Sequence, residues 1–161
     1  MYKRQVSVYN EEKALEEFYR ETTHVLEQIS WDYELLFVND GSRDGSQDIL
    51  DRMAASDSRV RVISFSRNFG HEAAMIAGLD YSRGDGIICM DADLQHPPEC
   101  IPDILAKFEE GYQVINMVRT KNRTAGLVKN ITSSGFYWLI NRISDVHFEA
   151  NACLLYTSPS P

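Results

Sequence analysis

Cysteine is scarce in this chain. Cys89, Cys100 and Cys153 are odd in number, widely spaced and without a CxxC pair, which argues against a disulfide framework and against a zinc site. They read as buried or inert thiols. Basic clusters are missing too: 16 Lys and Arg stand against 24 Asp and Glu, a net charge of -8, and the cations are scattered. No nucleic-acid partner is expected, and an anionic ligand would need local help. No apolar segment approaches the ~20 residues of a transmembrane helix, and no signal peptide is visible. The expected setting is reducing and cytoplasmic. A GxxxxGK[ST] loop, a GxGxxG after the first strand and a GxSxG elbow are all absent, so a P-loop NTPase, a dinucleotide dehydrogenase and an α/β-hydrolase find no support.

What is present is enough for one globular domain with a core: 161 residues, 43% of them hydrophobic. Leu15, Phe18, Thr22, Val25, Leu26 and Ile29 recur at helical spacing after Glu12, with Asn10 placed to cap. Tyr33–Val38 reads as a buried strand and Asn39–Ser46 as a turn-rich loop. Ile49, Leu50 and Met53 mark a short helix, Val60–Phe65 a strand, and His71–Ser82 a helix stopped by Gly84. Ile87–Met90 is a short apolar run between turn residues, as in a strand buried on both faces. Pro97 and Pro98 suit the first turn of a helix continued by Ile101, Ile104, Leu105 and Phe108. Tyr112–Val118 reads as a last strand and Leu127–Ile143 as a last amphipathic helix. Alternating strands and helices predict an α/β fold, a mostly parallel sheet covered on both faces.

Ligands in such folds bind beyond the carboxyl ends of the strands. The polar clusters fall there: Tyr9–Glu11, Asn39–Ser42, Arg67 with Asn68, and Asp91–Gln95. Asp91 and Asp93 end the fourth strand two residues apart, so both carboxylates face one spot while Ala92 turns aside. Two such carboxylates raise each other's pKa unless a cation joins them. Oxygen ligands favour Mg²⁺ or Mn²⁺, and Gln95 can add a neutral oxygen. An isolated D-x-D is more often turn chemistry, but here it sits at the ligand edge of a sheet. His71 and His96 lie at the same edge, each weak evidence alone. Arg119, past the last strand, could reach a phosphate or be an ordinary surface arginine.

Four ordered motifs, "YNEE" at Tyr9–Glu12, "VNDGSRDGS" at Val38–Ser46, "SRNFGHEAAMIAGLDYSRGD" at Ser66–Asp85 and "MDADLQHPPE" at Met90–Glu99, together resemble the family 2 inverting glycosyltransferases of GT-A fold. The likeness is to the polyprenyl-phosphate branch, the dolichol-phosphate mannose synthases and the undecaprenyl-phosphate glucosyltransferases. The resemblance implies that Tyr9 and Glu11 border the donor nucleoside, that Asp40 hydrogen-bonds the base, and that Arg67 gives donor-side support. It further implies that Asp91, Asp93 and Gln95 hold the metal, with Asp91 and Asp93 the catalytic pair, and that Arg119 lies near the phosphates. The implied partners are a UDP- or GDP-linked sugar donor and a polyprenyl phosphate acceptor at the cytoplasmic membrane face. The alternatives are a family 2 enzyme with a saccharide acceptor, and a noncatalytic module that binds nucleotide sugar.

Two departures stand out. Ser7 occupies the place where the family usually has proline, and after "EANAC", Glu149–Cys153, Leu154 and Leu155 stand where the family continues with the aspartate of a D-F-R-L segment. Only Val6 and Val8 are apolar in the first strand, and a Ser/Pro tail follows Leu155. The expected domain is therefore 6–153, with 1–5 and 154–161 as non-native ends of a fragment truncated at both ends. Such a fragment is expected to be weak or inactive, the membrane contact belonging to the missing C-terminal part.

Overall fold

The computed structural model describes residues 2–82, 84–94, 97–115, 117–118 and 152–153, with the side chains of Tyr2–Arg4 and of the last two pairs left aside. The chain divides into two compact units, one reaching to Ile115 and the other spanning Asn116–Leu154.

The first unit is built on four parallel strands, β1 (Tyr2–Val8), β2 (Tyr33–Asn39), β3 (Val60–Ser64) and β4 (Gly86–Asp91), in the order β3-β2-β1-β4. β1 is central, pairing with β2 from Tyr2↔Tyr33 to Val8↔Asn39 and with β4 from Tyr2↔Gly86 to Ser7↔Asp91. Its pairing therefore begins well before its two valines. Helices α1 (Leu15–Glu27), α2 (Ser46–Ser56) and α3 (His71–Tyr81) connect successive strands, and α4 (Ile101–Glu109) follows β4 after one 3₁₀ turn at Pro98–Cys100. The prolines at 97 and 98 open that segment as their fixed φ favours.

β2 is buried along almost its whole length, and its alternating side chains enter two cores. Leu36 and Val38 pack with Ala74 of α3, joined by Ile63, Phe65 and Ala77. On the other core Phe18 of α1 meets Phe37 edge to face, ring centroids 6.3 Å apart. α3 sits close on the sheet because it offers small residues. A Cβ at Gly78 would lie 1.8 Å from Gln5 Cγ, so the missing side chain makes the slot that the buried Gln5 fills. Gln5 Nε2 donates to the Ala74 carbonyl at 3.2 Å and to Ser7 Oγ at 3.1 Å, which satisfies a polar group on the central strand.

Several expectations need adjustment. Helix α1 starts at Leu15, three residues later than Glu12, because Asn10 does not cap it: its side chain is engaged across the loop instead. In place of one continuous strand over Tyr112–Val118, Val114 forms an isolated bridge and Met117–Val118 (β5) pairs antiparallel with Ala152–Cys153 (β6) in the second unit. Tyr112 and Val114 are exposed. The helix expected over 127–143 lies outside the described residues.

Candidate active site

The carboxyl ends of β1, β2 and β4 open on a cavity of about 280 Å³. Tyr9 and Glu11 reach it from the loop after β1, Asp40 from the end of β2, Asn68 from the stretch between β3 and α3, and His71 from the first residue of α3. Asp91 and Asp93 complete the wall from the end of β4. Ala92 between them is 1% exposed while both acids are only partly buried, the alternation anticipated from their spacing. Gln95, His96 and Arg119 lie outside the described residues.

The wall is electrically one-sided. Burial pushes the Glu11 carboxyl above the usual range, and the negative charges of Asp93, Asp44 and Asp91 push it further. Among the described residues lining the cavity the only basic side chain is His71, whose Nδ1 stands 3.6 Å from Asp91 Oδ1. Among the described residues no three His, Cys, Asp or Glu side chains gather into a protein-only metal cage. The donor set fits a divalent cation of the Mg²⁺ or Mn²⁺ kind, which takes one or two carboxylates and fills its shell with phosphate oxygens and water.

Asp40 is 3% exposed, and its carboxylate is engaged within the protein. Oδ1 accepts the Phe69 N–H at 2.7 Å and Oδ2 accepts the Gly70 N–H at 2.9 Å, so the β2 end is latched to the residues just ahead of α3. Gly41 permits the approach: its φ is +64°, and a Cβ there would lie 2.3 Å from the Arg67 carbonyl carbon. A carboxylate oxygen can accept a second hydrogen bond, and Asp40 is among the residues that line the cavity. Arg67 is placed differently from the other candidates. Its guanidinium lies over the Phe69 ring, 4.6 Å from the centroid, in an exposed position away from the cavity lining.

A second set of polar residues holds the loop after β2 without lining the cavity. Asn39, 3% exposed, accepts from Ser42 N–H and Oγ and donates to Gln47 Oε1 at 2.7 Å. Ser46 is buried, with its hydroxyl accepting the Glu11 N–H at 3.0 Å. The density of Asn, Asp, Ser and Gly in Asn39–Ser46 marks a turn and the Asn39 contacts are local, but the partner of Ser46 is Glu11, 35 positions away in sequence, and the parallel pairing of β1 with β2 brings the two together.

Comparison with known proteins places this geometry in a class. Residues 6–155 match glycosyl transferase family 2, and the chain belongs to that family. It is 47% identical over 141 residues to the uncharacterized glycosyltransferase YkcC of Bacillus subtilis, covering 88% of this chain and 44% of the relative. It is 42% identical to the prophage bactoprenol glucosyl transferase homolog of Escherichia coli, covering 91% and 48%. With the undecaprenyl-phosphate 4-deoxy-4-formamido-L-arabinose transferase of Shewanella sediminis it shares 40% identity, covering 93% and 45%. The chain thus spans about half the length of the curated relatives it matches. In fold it is similar to the mannosyltransferase PcManGT of Pyrobaculum calidifontis, solved with GDP-Man and Mn²⁺, at a TM-score of 0.60 and 19% identity over 75% of this chain and 35% of that one.

Proposed function

We propose that the full protein transfers a sugar from a UDP- or GDP-linked donor to a polyprenyl phosphate at the cytoplasmic face of a membrane, inverting the anomeric carbon. The observation that carries the reading is the pairing of Asp91 and Asp93 on one wall of the cavity at the strand ends, in a chain related to bactoprenol and undecaprenyl-phosphate transferases.

In this reading Tyr9 and Glu11 border the nucleoside, and Asp40 accepts a base N–H through a lone pair left over from its backbone contacts. Asp91 and Asp93, with Gln95, would hold a Mg²⁺ or Mn²⁺ ion for the donor diphosphate. That ion, when bound, offsets the charge that grows on the β-phosphate as the nucleoside diphosphate leaves. Arg119 contributes near the phosphates and Arg67 from the donor side through the Phe69 loop. An acceptor oxygen attacks the anomeric carbon from the face opposite the leaving diphosphate, forming the sugar–phosphate bond as the bond to the β-phosphate breaks. A phosphate monoester is largely ionised at neutrality, its second pKa being ~6, so the attacking oxygen requires positioning rather than a general base. Membrane contact is assigned to the portion that the longer relatives carry beyond the matched half.

The test is transfer by the full-length protein, with radiolabelled nucleotide sugars and undecaprenyl phosphate. Label entering the lipid phase supports the reading. Transfer only to a saccharide hydroxyl would favour the saccharide-acceptor alternative, and tight donor binding with no transfer would favour a noncatalytic module.

A further inference from the structure

The two loops that flank the nucleoside end of the cavity are sewn together residue by residue. Asn10 N–H donates to Ser42 Oγ at 3.0 Å, and Asn10 Oδ1 accepts the Arg43 N–H at 2.9 Å. Glu11 N–H donates to Ser46 Oγ at 3.0 Å. Glu12 N–H donates to Asp44 Oδ2 at 3.2 Å, while Glu12 Oε2 accepts the Gly45 N–H at 2.7 Å. Asp44 Oδ1 also accepts the Ser46 N–H at 3.0 Å. Three consecutive residues after β1 are thus each tied to the loop after β2.

The backbone adapts to this arrangement. Asn10 is one of two non-glycine residues with positive φ among those described, at 57°, a conformation that asparagine tolerates better than most residues. At Gly45 a Cβ would stand 3.0 Å from Glu12 Oε2. Burial pushes the Asp44 carboxyl up, but hydrogen bonds from the Ser46 hydroxyl and from the Ser46 and Glu12 N–H groups outweigh it and hold the group below the usual carboxylate range. The side chains that point into the clamp, Asn10, Glu12 and Asp44, do not line the cavity, whereas Tyr9 and Glu11, interleaved with them, do.

We infer that Asn10, Glu12 and Asp44 are positioning residues, which fix the backbone on which Tyr9 and Glu11 meet the donor nucleoside. The inference rests on the donor-site reading and adds to it a mechanism of preorganisation: a loop already held in its bound shape loses less freedom when the nucleotide arrives.

Calorimetry of UDP and GDP binding in the presence of Mn²⁺, on the full chain, tests it. Asn10→Ala removes an acceptor and disfavours the left-handed backbone, and Glu12→Ala removes the acceptor for Gly45. Each should raise the nucleotide Kd about tenfold, the scale of one lost ordering interaction. Glu12→Gln keeps a side-chain oxygen for the Gly45 N–H while removing the charge, and should stay within about twofold of wild type. The double Asn10→Ala/Glu12→Ala variant should fall well short of the product of the two effects, because both release one clamp. Asp57→Asn, at the opposite end of the sheet from the cavity, controls for general destabilisation and should leave Kd unchanged. Wild-type affinity in Asn10→Ala and Glu12→Ala, or an equal loss in Asp57→Asn, overturns the inference while the donor site stands. Failure of the wild-type protein to bind either nucleotide overturns the donor site, and the clamp's role with it.

Discussion

Asp40 and Asp91 end strands on either side of β1, and their side chains do different work. Asp91 faces the cavity beside Asp93 and His71; Asp40 is spent largely on two backbone N–H groups. Asp40→Asn cannot accept both, since its amide nitrogen would confront one of the donors. It should lower stability by about 1–3 kcal/mol, the cost of a buried donor left without its partner, and raise the donor KM while the metal concentration for half-maximal activity barely moves. A shifted metal requirement with unaltered donor affinity would contradict this division of labour. The D-x-D pair was legible in sequence because its meaning is local: an apolar run ends, and alternation sends the two acids one way. The Asp40 latch was not, because Phe69 and Gly70 are brought to it only by the crossover that places α3, and nothing within a few residues of Asp40 announces them.

Elements were legible where periodicity was strong, as in β2, α1 and β4, and their ends were less so. Asn10 looked like the cap of α1 because asparagine before a helical pattern usually is one, yet Arg43 competes for its side chain and wins. Gln5, a buried polar side chain on the central strand, is accommodated because α3 supplies both its hydrogen-bond partner and, at Gly78, its room. This packing predicts a rescue. Gly78→Ala should cost about 1–3 kcal/mol by overpacking against Gln5, and Gln5→Ala/Gly78→Ala should recover much of that loss by vacating the slot. Thermal melts of the two variants check it, and a double variant no more stable than Gly78→Ala alone would show that Gln5 is not what Gly78 accommodates. At the opposite end of the sheet from the cavity, the α2–β3 connection carries its own electrostatic device. Arg59 grips the Asp57 carboxylate by Nε at 2.9 Å and Nη2 at 2.9 Å, and the Tyr19 hydroxyl donates to it at 2.9 Å. The Arg59 side chain, opposed by burial and helped by the Arg59 N–H and Tyr19, holds Asp57 at about 2. Because the folded value lies below the unfolded one of about 3.9, this contribution is present above about pH 4 and fades as pH falls toward 2. Burial, then the bond to Asp57, pushes Tyr19 up to about 12, so its share is present below about pH 10 and fades as pH rises through 12. Asp57→Asn should therefore flatten the acid limb of a stability-versus-pH curve between about pH 4 and 2; an unchanged limb would assign acid sensitivity to other carboxylates.

At the scale of the whole molecule the charge balance poses the functional problem. In the proposed function a chain of net charge -8, with acids converging at the carboxyl edge of its sheet, receives a nucleoside diphosphate, itself an anion, and the two are reconciled only if a cation stands between them. The parallel order β3-β2-β1-β4 sets the acids of β4 and the loops of β1 and β2 around one cavity, so the proposed nucleoside and diphosphate ends fall on neighbouring strands. The most direct measurement is calorimetry of UDP and GDP binding to the full-length protein, with and without Mg²⁺ or Mn²⁺, for wild type and Asp93→Ala. Binding that requires the divalent ion and is lost in Asp93→Ala is the predicted result; equal affinity without metal, or retained metal-dependent affinity in Asp93→Ala, would contradict it.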